Sequence, residues 1–417
     1  MFKQKTTMYL IKAPTTLKAV ISLPSSKSIS NRVLILNALC RHQKPIHNLS
    51  VCDDTQAVIE ALGEQNSFID IGAAGTAMRF LAAFLSGQPG EYVLTGTERM
   101  KNRPIKILVE ALRVVGAQIE YMEKEGYPPL HIIGQTLKGG EITLDGSVSS
   151  QYISALLMMA PVMTNGLRLH LTGEVVSTSY INLTLQLMSQ LGVIVFKEGS
   201  TLTVLPQQYD LDFDFTVESD WSAASYWYEM VALSSDADAS VKLSGLWPDS
   251  LQGDASIAAL FDQLGVKTSF FPLGVTLTKK QRTVDIPLIF DFTSMPDMAQ
   301  TVAVTCVMLQ IPFRFTGLQS LIIKETDRLY ALKTELQKLG YLLEIQNNNS
   351  LIWNGDRCEA EDIPVIATYE DHRMAMAFSP VSLCVADGIY IADPHVVSKS
   401  YPTFWDDLYQ ANFVTTA

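Results

Sequence analysis

The sequence predicts an α/β protein of two domains, each assembled from three copies of a module roughly 70 residues long. Three observations carry this expectation. A leucine-bearing amphipathic helix closed by Gly recurs along the chain, an almost wholly apolar helix alternates with it, and 417 residues are too many for one core.

The amphipathic segments are VIEALG (58–63), LVEALRVVGAQIEY (108–121), LTLQLMSQLGVIVF (183–196), IAALFDQLGVKTSF (257–270) and LKTELQKLGYLLEI (332–345). Each is a helix, a Gly stop and then a short apolar strand. Gly63, Gly116, Gly192, Gly265 and Gly340 stand where a left-handed residue closes a helix, and the last three intervals are 73 to 76 residues. TFWDDLYQANF (403–413) is expected to be a sixth copy truncated by the chain end.

The alternating helices are SKSISNRVLILNAL (26–39), GTAMRFLAAFL (75–85), SSQYISALLMMA (149–160), SDWSAASYWYEMVAL (219–233), PDMAQTVAVTCVML (296–309) and DHRMAMAFSPVSL (371–383). A helix that is apolar all round is buried, whereas a one-sided helix lies at the surface. With short strands such as ITL (142–144) and LRLHL (167–171), each unit has the size of a βαβαββ module.

Composition removes several function classes. The chain carries 31 basic and 43 acidic residues, a net charge of −12, which disfavours extended nucleic-acid binding. No apolar run reaches the roughly 18 residues of a membrane helix. The opening MFKQKTTMYLIKAP lacks the continuous apolar core of a signal peptide, so a cytoplasmic protein is expected. Cys40, Cys52, Cys306, Cys358 and Cys384 form no CxxC pair, so neither a disulfide framework nor a metal site is indicated. There is no phosphate-binding GxxxxGK[ST], no nucleophile elbow and no HExxH.

What remains is a set of bases and hydroxyls at the openings of the apolar helices. A helix start has unpaired N–H groups and a partial positive charge, which suits anions. The openings carry Ser26, Lys27 and Ser28; Gly75, Thr76 and Arg79; Ser149, Ser150 and Gln151; and His372 and Arg373. Ordinary capping explains any one of them. RMKNRP (99–104) adds Arg103, and IIKETDR (322–328) sets Lys324, Glu325, Asp327 and Arg328 after an expected apolar strand. SMPDMAQ (294–300) places Asp297 as a cap inside a Pro-started helix, and SKSYP (398–402) adds Lys399. Converging bases with two well-placed carboxylates suit electrostatic and acid–base work on phosphorylated carboxylic acids.

LPSSKSISNR (23–32), GAAGTAMR (72–79), RMKNRP (99–104), SVSSQY (147–152), VVSTSYINLTL (175–185), VESDWSAASY (217–226), MPDMAQT (295–301), KETDR (324–328), YEDHRMAMAF (369–378) and SKSYPTF (398–404) occur in that order. Together they resemble the 5-enolpyruvylshikimate-3-phosphate synthase (3-phosphoshikimate 1-carboxyvinyltransferase) family from end to end. The resemblance implies the two-domain inverse α/β barrel of enolpyruvyl transferases, with six βαβαββ repeats, three per domain. It implies a domain of residues 1–25 plus 219–417, an inserted domain of 26–218 and an active site in the interdomain cleft.

The implied reaction joins shikimate 3-phosphate to phosphoenolpyruvate through a tetrahedral ketal and releases phosphate, a step toward chorismate and aromatic amino acids. No cofactor and no metal are implied, and a monomer without nucleic-acid or membrane partners is expected. By the same resemblance Lys27 touches both substrates, and Ser28, Arg32, Ser149, Ser150, Gln151, Ser177, Tyr180, Asp297 and Lys324 hold shikimate 3-phosphate. Lys27, Gly75, Arg103, Gln151, Arg328, Arg373 and Lys399 hold phosphoenolpyruvate. Asp297 resembles the proton acceptor and Glu325 the group that exchanges the C3 proton, with Lys27 as third catalytic residue.

The chain departs from the family pattern at Ser25, Ala73, Phe80, Thr178, Ser179 and Ile322. The nearest alternative, UDP-N-acetylglucosamine enolpyruvyl transferase, usually has a Cys on a loop of its first-half domain; this chain has none between Cys52 and Cys306. A non-catalytic anion-binding relative is the alternative from another class.

Overall fold

The computed structural model describes residues 7–63, 67–210 and 212–416. The chain divides into two compact units, Ser25–Val217 and the pair of segments Met1–Pro24 with Glu218–Ala417.

In the unit Ser25–Val217 the helices are α1 (Lys27–Leu39), α2 (Asp53–Gly63), α3 (Gly75–Ser86), α4 (Glu98–Lys101), α5 (Lys106–Val114), α6 (Ser150–Met159) and α7 (Thr178–Gln190). Every residue of α3 is buried, and α6 exposes little besides Gln151 at its start. α3 packs on α6, and α1 packs on α7. Two four-stranded sheets share one plan. In the first, Phe68–Asp70 runs parallel to Gly90–Thr95 across the α3 crossover. α5 then leads into the hairpin Gln118–Tyr121 and Leu130–Gly134. The second repeats it with Gly140–Asp145, α6, Leu167–Thr172, α7 and the hairpin Val195–Glu198 and Thr201–Val204. The third sheet is abbreviated to Ile46–His47 parallel to Phe215–Thr216.

The other unit holds α8 (Trp221–Leu233), α9 (Ile257–Gln263), α10 (Ala299–Met308), α11 (Arg328–Lys338), α12 (His372–Phe378) and α13 (Phe404–Gln410). α10 packs against both α8 and α12, so the apolar helices form the centre. Trp221, Trp227, Tyr226 and Tyr228 of α8 are all almost fully buried there. Its three sheets each have four strands and the same order of pairing. Two are closed by segments from the chain's beginning. Lys18–Ser22 runs parallel to Ser240–Ser244, and Met8–Lys12 pairs antiparallel with Ile389–Ala392 and Val414–Thr416.

Among the described residues six modules, three per unit, are therefore present, five with four strands and one with two. Three local expectations are corrected. Gly63 is the last residue of α2 and has no left-handed φ, whereas Gly116, Gly192, Gly265 and Gly340 have φ of 106°, 81°, 99° and 89°. The 403–413 copy does not stop at its helix: α13 closes on Asn412 (φ 65°) and feeds a strand that pairs antiparallel with Met8–Lys12. Residues Gln319–Ile323 form a 3-10 helix and not a strand. Among the described residues no helix is long and apolar enough to cross a membrane.

Candidate active site

In the unit Ser25–Val217 the candidates gather at the starts of α1, α3, α6 and α7. Ser26 caps α1 by accepting from Ile29 N, which leaves Lys27 as the first helical residue. Lys27 Nζ lies 3.3 Å from the buried carboxylate of Asp54, a partner that sequence inspection missed because it sits on α2 without a motif.

Arg32 is buried and committed to protein acceptors. Its Nε donates to Thr184 Oγ1 (2.7 Å), Nη1 to Ser28 O (2.9 Å) and Nη2 to Ser154 Oγ (3.3 Å) and Tyr180 O (3.4 Å). It also lies 5.2 Å above the Phe80 ring, and burial pulls its pKa down to about 10. The guanidinium thus ties α1 to α6 and α7.

Gly75 opens α3 directly beneath Arg103: a Cβ there would stand 2.5 Å from Arg103 Nη1. A glycine at this point lets the guanidinium lie on the helix start. Arg79 braces the loop that carries Arg103, donating to Gly75 O (3.0 Å) and Pro104 O (3.4 Å). Lys101 instead pairs with Glu98 and Glu123 at the surface.

Ser149 Oγ caps α6 from Gln151 N, as ordinary capping would have it, and Gln151 Nε2 donates to Thr76 Oγ1 at 3.0 Å. Ser150 and Ser177 are buried. Ser177 precedes α7 with left-handed φ 54° and ψ 39° and makes no side-chain cap bond. That conformation costs a non-glycine residue about 1–2 kcal/mol.

In the other unit four bases and three carboxylates interlock. Arg328, 2% exposed at its side chain, directs Nε to Asp371 (2.7 Å), Nη1 to Asp297 (2.8 Å) and Nη2 to Glu325 (2.8 Å). Burial lowers its pKa, but Asp371, Glu325 and Asp297 outweigh this and raise it. Asp297 also meets Lys324 (3.2 Å) and Arg373 (3.2 Å), and Glu325 meets Lys399 (2.8 Å). Burial raises the Asp297 pKa, but Lys324, Arg373 and Arg328 hold it well below the usual carboxylate range. The seven groups leave one formal positive charge.

Asp297 does not cap its helix. It lies in the 3-10 turn Pro296–Met298 ahead of α10, with its carboxylate turned to the bases. Asp371 caps α12 by accepting from Arg373 N (2.9 Å) and follows a tight turn in which Tyr369 and Glu370 have φ of 54° and 55°. Two more polar groups join them, Ser222 from the segment VESDWSAASY and Asp254 from a stretch without a motif. Ser222 Oγ donates to Asp254 Oδ2 (2.5 Å) and accepts from Arg373 Nη2 (3.4 Å). Burial pushes the Asp254 pKa up to about 6. Among the described residues no group of His, Cys, Asp or Glu is placed to hold a metal ion.

Paired three-module α/β units, whose buried helix starts carry bases, hydroxyls and ionised carboxylates, define a protein built to handle small anions. The sequence matches the EPSP synthase (3-phosphoshikimate 1-carboxyvinyltransferase) family over residues 11–66 and 63–408. It is 57% identical over 406 residues to a 3-phosphoshikimate 1-carboxyvinyltransferase of Bacteroides fragilis, covering 97% of this chain and 98% of that one. Identity to the Vibrio campbellii 3-phosphoshikimate 1-carboxyvinyltransferase is 37%, over 93% of this chain and 95% of that one. The solved EPSP synthase of Acinetobacter baumannii superimposes with a TM-score of 0.77 at 20% identity, covering 99% of this chain and 100% of that one, and shares the fold. The chain belongs to the EPSP synthase (3-phosphoshikimate 1-carboxyvinyltransferase) family.

Proposed function

We infer that this chain transfers the enolpyruvyl group of phosphoenolpyruvate to the 5-hydroxyl of shikimate 3-phosphate and releases phosphate. The observation that carries the reading, beside family membership, is the Asp297 carboxylate kept ionised among Lys324, Arg328 and Arg373. An ionised carboxylate is the form that accepts a proton, as the attacking 5-hydroxyl requires.

In this reading the hydroxyl oxygen bonds to C2 of phosphoenolpyruvate while its proton passes to Asp297 and C3 gains a proton, giving a tetrahedral ketal. The C2–O bond to phosphate then breaks as a methyl proton leaves, restoring the double bond in the enol ether. Glu325 serves the C3 proton. In the structure its carboxylate is held by Lys399 and Arg328. A phosphoenolpyruvate phosphate drawing on those same bases takes counter-charge from Glu325 and raises its proton affinity.

Arg328, Arg373 and Lys399, together with Lys27, Gly75, Arg103 and Gln151, act on phosphoenolpyruvate. Arg328 has its Nε and both Nη atoms on carboxylates, so it serves chiefly to hold Asp297 and Glu325 in place. Shikimate 3-phosphate falls to Lys27, Ser28, Arg32, Ser149, Ser150, Gln151, Ser177, Tyr180, Asp297 and Lys324. Ser177 fits a phosphate ligand, because its backbone is left-handed and its hydroxyl has no capping duty.

The test is phosphate release with both substrates present. Release that needs both, and that fails when UDP-N-acetylglucosamine replaces shikimate 3-phosphate, supports the reading. Release with UDP-N-acetylglucosamine, or binding of both substrates without release, overturns it.

A further inference from the structure

α11 holds more than its first residue in place. Glu335 lies seven positions beyond Arg328, on the same helical face and about 10 Å further along. Its carboxylate is fully buried, yet it touches none of the bases or carboxylates named above. Oε1 accepts from Tyr369 Oη (2.6 Å), while Oε2 accepts from Ala367 N (2.9 Å) and Lys338 Nζ (2.7 Å). Lys338 Nζ also donates to Val365 O (2.9 Å).

The segment held this way ends in the site. Asp371 N donates to Thr368 O (2.8 Å), closing a turn whose two central residues, Tyr369 and Glu370, are both left-handed. That turn type favours glycine or asparagine, and bulky residues persist in it only where the surroundings over-determine their shape. Directly after it come Asp371, which grips Arg328, and Arg373, which reaches Asp297. One helix therefore fixes the segment at two points, through Glu335 before the turn and through Arg328 after it.

We propose that Glu335 and Tyr369 are positioning residues for phosphoenolpyruvate, clasping the segment 365–371 to α11 so that Asp371 and Arg373 are held in register with Arg328. This rests on the assignment of Arg373 to phosphoenolpyruvate made above. The clasp bears first on phosphoenolpyruvate, because Arg373 and Lys399, the candidates that follow the turn in sequence, are both assigned to it, whereas Asp297 is reached only through Arg328 and Arg373. A merely structural hydrogen bond would instead lower stability and weaken both substrates alike.

The test is steady-state phosphate release by Tyr369→Phe and Glu335→Gln, with Arg373→Lys as reference and thermal melting as a control. Tyr369→Phe keeps the ring and removes the hydroxyl that donates to the buried Glu335 carboxylate, so KM for phosphoenolpyruvate should rise about tenfold. KM for shikimate 3-phosphate should stay within about twofold. Glu335→Gln should raise it too, and the double variant should fall short of the product of the two single effects, since both remove the Tyr369–Glu335 bond. If Arg373→Lys raises KM for phosphoenolpyruvate but Tyr369→Phe does not, the clasp is refuted and the site reading stands. If both KM values rise together, the role is structural and the proposal falls. If Arg373→Lys leaves KM for phosphoenolpyruvate unchanged, the site reading fails and takes the proposal with it.

Discussion

Asp297 sits within 3.2 Å of three bases, and this sets both its charge and the cost of losing it. Removing it as proton acceptor should lower kcat at least ~100-fold in Asp297→Ala, read by phosphate release; a near-normal rate would strip it of the role. Asp254 makes the opposite statement about pH. Its folded pKa of about 6 lies above the ordinary 3.8, so its contribution to stability is complete below that ordinary value and is lost as pH rises through about 6. The shift corresponds to ~3 kcal/mol once the group is fully ionised. Asp254→Asn, which can still accept from Ser222, should therefore gain on the wild type in melting temperature between about pH 4 and pH 7. A constant difference across that range would show that the ionisation costs nothing. Asp254 is a single polar residue in a stretch with no motif, and its partner Ser222, though inside the segment VESDWSAASY, has nothing in that segment to mark its pairing. Lys27, Arg103 and the KETDR group stood out only as a set, through bases at several helix openings and motifs in a fixed order, since each alone has an ordinary structural reading.

Elements were read well where the signal is local and poorly where it is not. The helices followed from 3.6-residue periodicity and Gly stops, and the left-handed φ of Gly116, Gly192, Gly265 and Gly340 supplies the physical reason. The apolar run before Lys324 was misread as strand, because a run that short has no periodicity to separate strand from 3-10 helix. Ile323 in it is 58% exposed. Packing between elements gives two predictions. Arg32 donates to two other helices, α6 and α7, so Arg32→Met should cost at least ~3 kcal/mol in denaturant unfolding, from lost charge-assisted bonds and stranded acceptors. Unchanged stability would make Arg32 a ligand alone. In Gly75→Ala the new methyl group would push the far end of the Arg103 side chain off the start of α3. KM for phosphoenolpyruvate should then rise about tenfold with the melting temperature held, whereas an unchanged KM would separate Arg103 from that substrate.

At the scale of the molecule, the repeat set the expected number of modules but not their closure. The pairing of Met8–Lys12 with Ile389–Ala392 joins strands more than 370 residues apart, and no local pattern announces it. The same holds for Lys18–Ser22 with Ser240–Ser244, where the whole unit Ser25–Val217 intervenes. A net charge of −12 disfavours a broad polyanion surface, and in the structure the bases near Asp297 are themselves matched by carboxylates. In the proposed reading, substrate anions compete with Glu325 and Asp371 for bases already paired. Enolpyruvyl transfer through a ketal whose C3 exchanges a proton with the protein leaves its mark on the product when turnover is run in D2O. The mass spectrum of the product should show an enolpyruvyl ether of shikimate 3-phosphate carrying deuterium on its methylene carbon. An ether free of deuterium, or phosphate released with no ether formed, would contradict it.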